Sequence, residues 1–445
     1  NMLKYKSILD KLTDDQKTAL LSDVAAFSDP HIASLGVPPI RTALLSSLAA
    51  EAGMPSYASM AAAWDLALIG QVTQAAAVQA RAKGANLFVT PDLKCTSNDA
   101  VRGLSEDAFF NGETGAAMAR AVRAAGGACA YARLACDEKD VACLDVNEDA
   151  RAMYDLVRKP FVQAAKSASP DAIVSSLDRP CGGYLGTNVR LFSDIVAGEY
   201  GKDVVALSQQ LAPDVDYHAF LAGSVCLGGG GVALSRALGR YRKLAQERAA
   251  GSVSERELQG AEADGIAVPP AAADAAADRM IDFAYRVNKI VPAAVQSPDL
   301  RALGLQAARE SIVLLKNRGI LPLKAGTRIA VVGEACDALQ GVSALPVVAR
   351  AAGYSRAQTR AEDVCEEAVR AAKDADVIVI FLQPTLDEAG EVLALSLPAN
   401  LLSLIAALRR TGKRMIGILP SDCLSDMSFD ADFDAVLTAP LESRF

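Results

Sequence analysis

The chain has 445 residues, 51% of them hydrophobic and 22% charged, which exceeds one ordinary core and predicts a soluble protein of two domains. Its net charge of −8 argues against nucleic acid as a partner, and no run of about eighteen apolar residues free of charges and breakers predicts a membrane span. Nine scattered cysteines without a C-x-x-C pair, only two histidines and an opening (Asn1–Ser7) with no apolar signal core predict reduced thiols in the cytoplasm and neither metal nor cofactor.

In chain order, short apolar runs alternate with helical patterns. Ala43–Leu48, Ala85–Pro91, Gly127–Leu134, Ala172–Leu177 and Asp203–Ser208 predict strands, and the Ala-, Glu-, Arg- and Gln-rich segments between them carry apolar residues at three- and four-residue spacing. Repeated βα units over residues 1–250 predict a TIM-type (β/α) barrel, although periodicity alone leaves a doubly wound open sheet as the alternative. Residues 251–300 change character. Gly251–Ala277 is rich in Ala, Asp and Glu with Pro269-Pro270 inside it, and reads as a linker with helical pieces; Asp278–Ile290 spaces its apolar residues for one packed face. In residues 301–445 the runs Arg328–Gly333, Val377–Gln383, Arg414–Pro420 and Ala435–Pro440 predict buried parallel strands. They imply a smaller α/β sandwich with a mostly parallel sheet, one that stops soon after its last strand.

Several stretches resemble glycoside hydrolase family three, the β-glucosidase and β-N-acetylglucosaminidase family. Leu35-Gly36-Val37-Pro38-Pro39-Ile40-Arg41 resembles its L-G-I-P-P-L-R run into the first strand, and Ala62–Asp65 and Ala80–Asn86 match its next helix and second strand in spacing. Ala307–Asn317 (A-A-R-E-S-I-V-L-L-K-N), then Leu321-Pro322-Leu323 and Ile329–Gly333, resemble the run that joins its two domains. The resemblance implies the barrel-plus-sandwich fold, O-glycosidic bond hydrolysis and a carbohydrate partner.

The functional positions that the resemblance marks are mostly replaced. A retaining glycosidase needs a carboxylate nucleophile and an acid/base about 5 Å apart. The nucleophile position, at the end of the strand Val204–Ser208, holds Gln209, whose neutral amide can neither form the covalent intermediate nor stabilise an oxocarbenium charge. The Lys-His pair that holds sugar hydroxyls falls on Ala132-Arg133, the Asp after the first strand on Leu44, a Glu of the following loop on Arg102, and a strand-end Asn on Asp178. Glu106-Asp107 survives from that loop's motif, as a helix start. Glu388, or Asp387, sits ahead of Leu395-Ser396-Leu397-Pro398 where the acid/base belongs, with Glu391 as a second candidate; Asp214 and Asp216 are the candidates for a displaced nucleophile. Cys136–Asp140 has no His, which closes the Asp-His route of the aminidase branch.

The remaining features point less far. Ile329–Glu334 lacks G-x-G-x-x-G, Gly228–Gly231 reads as a flexible loop, and neither His31 nor His218 has a partner at motif spacing. The single Trp, Trp64, reads as a core helix residue, so sugar-stacking platforms are scarce. Three readings follow. The first is a homologue that has lost hydrolysis and serves as a binding or scaffolding protein, assembling with itself or an active relative. The second is a glycosidase with a relocated nucleophile. The third is a binder of an anionic small molecule, through Arg102 and Arg133.

Overall fold

The computed structural model describes residues 3–95, 103–134, 155, 158–175, 204–208, 224–226, 231–263, 267–293, 299–333, 346–351, 361–383, 396–421 and 425–440. It divides into two compact units. Unit 1 comprises Asn1–Ala52, Leu66–Cys95 and Glu106–Leu300; unit 2 comprises Gly53–Asp65, Thr96–Ser105 and Arg301–Phe445.

Unit 1 contains six parallel strands, β1 (Thr42–Leu44), β2 (Leu87–Asp92), β3 (Ala128–Leu134), β4 (Ala172–Ser175), β5 (Val205–Ser208) and β6 (Ser224–Cys226), hydrogen-bonded in sequence order. Helices Leu66–Ala82, Ala108–Ala124 and Lys159–Ser167 follow β1, β2 and β3 and pack side by side. This unreversed order is that of a (β/α) barrel and differs from the reversing order of a doubly wound sheet. A ladder from β6 back to β1 is not among the described pairings, so the sheet is described as six parallel strands rather than as a closed barrel.

Alternation along the strands divides the packing. Leu87, Val89, Ala128, Ala130, Ala132, Ala172, Val174 and Leu207 share one core with Leu20, Leu21 and Phe27 near the start of the chain and with Met280 and Phe283 of helix Pro270–Asn288. Phe88, Tyr131 and Ile173, at the alternate positions, are also fully buried, as expected for strands covered on both faces. The stretch expected as a linker therefore carries two helices, Glu255–Ala263 and Pro270–Asn288, and the second is a core element of unit 1. Its helix begins at Pro270, well before Asp278, because proline suits a first helical turn and Ala273, Ala276 and Ala277 extend the buried stripe upstream. The first expected strand is also shorter. After Leu44 the chain turns into helix Leu45–Glu51, which buries Leu45 and Ala49 at a four-residue spacing.

Unit 2 holds a mixed sheet in the order β7-β12-β11-β10-β8-β9, with β7 (Val313–Asn317), β8 (Ile329–Val332), β9 (Val347–Ala351), β10 (Val377–Phe381), β11 (Arg414–Pro420) and β12 (Ala435–Ala439). All neighbours are parallel except β7, which runs antiparallel to β12 at the edge. β8 and β10 are buried throughout and separate two apolar cores, one around Leu401, Leu404 and Phe433, the other around Ile320, Val331 and Phe381. The parallel strands read β9-β8-β10-β11-β12, so the order reverses between β8 and β10. At that point Gly333 follows β8 with φ +112, and a Cβ there would stand 2.8 Å from the Phe381 carbonyl oxygen. Only glycine admits both that dihedral and that approach.

Candidate functional site

In sheets of parallel strands the ligand-facing groups gather at the carboxyl ends of the strands. In unit 1 those ends are Leu44, Asp92, Leu134, Ser175, Ser208 and Cys226, and the register sets Asp92 opposite Ala132, Leu134 opposite Ser175, and Ser208 between Ser175 and Cys226. Two of the positions marked by the resemblance are placed directly. Leu44 closes β1 and is 53% exposed, an apolar side chain where a carboxylate would hold hydroxyls. Ala132, in β3, is buried; its N–H donates to Thr90 Oγ1 at 3.1 Å and its carbonyl accepts from the Leu93 N–H at 2.8 Å. No side chain at 132 reaches out to a ligand, because alanine ends at Cβ.

Arg133 is the next residue of β3, and Gln209 follows Ser208 in the sequence. Gln209, Arg102, Asp178, Asp214, Asp216, Asp387, Glu388 and Glu391 lie outside the described residues, as do His218, Gly228–Gly230 and Cys136–Asp140. His31 is exposed on the short helix Pro30–Ser34. Glu106-Asp107 does start a helix: Asp107 Oδ1 accepts the Phe110 N–H at 2.6 Å and caps Ala108–Ala124.

The strand-end region contains two ionisable residues that the sequence reading passed over. Asp92 and Lys94 are each 4% exposed at and just beyond the end of β2. Burying such groups is costly unless the surroundings compensate. The backbone here is held firmly, since Asn111, fully buried on helix Ala108–Ala124, donates from Nδ2 to the Lys94 carbonyl at 3.3 Å. The signal was available as Thr90-Pro91-Asp92-Leu93-Lys94, a charged pair two residues apart directly after an apolar strand. Burial, with Asp107 and Glu106 adding to it, pushes the thiol of Cys95, next in line, up to about 11, which disfavours the thiolate. Among the described residues, no group of three or more His, Cys, Asp or Glu is placed to hold a metal ion, and no helix is long and apolar enough to cross a membrane.

Trp64 departs from its expected core position. It is 65% exposed and its φ is +54, the left-handed region that bulky residues seldom occupy. It ends the turn that follows helix Tyr57–Ala61, where the N–H groups of Ala62, Ala63 and Trp64 bond to the carbonyls of Ser59, Met60 and Ala61. A left-handed residue closing such a turn is usually glycine; with a side chain it costs on the order of 1–2 kcal/mol. The next helix starts at Leu66; Tyr57, Met60 and Ala61 of the preceding one are buried.

Comparison with known proteins agrees with both halves of this description. Residues 312–443 match the family model of the Glycosyl hydrolase family 3 C-terminal domain. The chain is 25% identical over 366 residues to beta-glucosidase B of Emericella nidulans, across 76% of this chain and 41% of that protein; it thus spans about two fifths of that relative's length. Among solved structures, the GH3 beta-glucosidase of Bifidobacterium adolescentis superposes with a TM-score of 0.74 at 21% identity, over 96% of this chain and 66% of that one. The beta-glucosidase of Listeria innocua, solved with glucose, superposes with a TM-score of 0.72 at 16% identity, over 98% of this chain and 72% of that one. The matched segment 312–443 identifies the second half as a glycoside hydrolase family 3 C-terminal domain, and the chain as a whole shares the fold of the family 3 beta-glucosidases.

Proposed function

We propose that this chain, β-glucosidase-like by ancestry, has lost glycoside hydrolysis and acts as a binding or scaffolding protein. The observation that carries the reading is chemical. Gln209 stands where the family resemblance puts the carboxylate nucleophile, next to the last residue of β5. Leu44 and Ala132, at the ends of β1 and within β3, support it, because neither can grip a sugar hydroxyl. Covalent catalysis has no substitute in an amide, and each ~1.4 kcal/mol of lost transition-state stabilisation lowers the rate about tenfold.

The test is hydrolysis of aryl β-glycosides, glucoside and N-acetylglucosaminide included, by the wild type and a Glu388→Gln variant. Equal, background rates are expected. A rate in the wild type that disappears in the variant would overturn the reading in favour of a relocated nucleophile.

A further inference from the structure

We draw no further inference here: the strongest candidate, the outer edge of β7 in unit 2, where Ile312, Leu314 and Leu315 are about half exposed together with Leu305 of the preceding helix Leu300–Glu310, is an apolar face that no described strand pairs, and nothing in the structure shows what covers it.

Discussion

Asp376 receives three hydrogen bonds from one residue, Arg328: from its backbone N–H at 3.0 Å, from Nε at 3.3 Å and from Nη2 at 2.8 Å. Asp376 immediately precedes β10, and Arg328 immediately precedes the neighbouring β8. The same device recurs ahead of β12, where Asp434 accepts Arg414 Nε at 3.2 Å and the Met415 N–H of β11 at 3.1 Å. Unit 1 uses it ahead of β4, where Asp171 takes Arg123 Nη2 at 2.9 Å and the Cys129 N–H of β3 at 2.9 Å. Each aspartate thus ties the start of one parallel strand to the start of the next, with an arginine completing the clamp.

The Asp376 clamp has a pH signature. The Arg328 guanidinium, helped by its backbone N–H, lowers this carboxyl from 3.8 to about 2. Because the folded value lies below the unfolded one, the contribution to stability is complete above pH 3.8 and is lost as the pH falls through 2. The group is exposed and the effect modest. A carboxyl-carbon NMR titration should place Asp376 near 2, and the melting curves of wild type and Asp376→Asn should converge there. A midpoint close to 4 would refute the assignment.

Asn86 should be among the costlier polar positions of unit 1. It is 2% exposed; its Oδ1 accepts the Arg41 N–H at 2.7 Å, and its Nδ2 donates to the Pro39 carbonyl at 2.8 Å and to Asn288 Oδ1 at 3.1 Å. Asn86→Ala leaves buried groups without partners and is expected to cost about 2–3 kcal/mol, read as a lower urea midpoint. A loss under ~0.5 kcal/mol would mean that solvent replaces these bonds.

Gly333→Ala should destabilise unit 2 by about 2–4 kcal/mol, since the left-handed dihedral and the close Phe381 backbone act together. Gly319→Ala is the control, with φ +75 but nothing within 4 Å of its Cβ, and should lose only about 1 kcal/mol. Hydrogen exchange at the β8 and β10 amides separates the two outcomes; equal effects would remove the steric half of the argument.

Trp64→Gly should raise stability, by about 1 kcal/mol, by relieving the left-handed strain. Thermal melts check the direction. A fall of more than ~1 kcal/mol would identify the ring as a packing element after all.

The strands buried on both faces were legible because near-continuous apolar runs such as Val377–Phe381 allow little else. The edges of unit 2 were not. β7 leaves Leu314 and Leu315 about half exposed, and β9 is five residues with Arg350 as its fourth, so neither carries the pattern of a buried strand. Residues 43–48 misled by composition, since a short apolar run serves a strand or a buried helix equally well. Leu44 and Ala132 do fall in strands, β1 and β3, whose apolar runs the sequence showed. Asp92 and Lys94 were missed because only burial distinguishes them from solvated loop charges, and burial is a property of the folded chain. Trp64 was misread for the complementary reason: its neighbours in sequence are apolar, and only the folded chain shows a left-handed residue with an exposed side chain.

The hydroxyl contact between Ser59 and Ser421 spans 362 positions of sequence, inside a unit that draws Gly53–Asp65 from the beginning of the chain. A fragment cut at residue 301 would therefore lack the piece that supplies Tyr57, Ser59 and Met60 to its interior. On the ribosome, at roughly 5–20 residues per second, that early piece waits tens of seconds before its counterpart emerges. Until then its apolar side chains have no native home, and newly made chains carry an interval of vulnerability that neither half of the gene, expressed alone, could resolve.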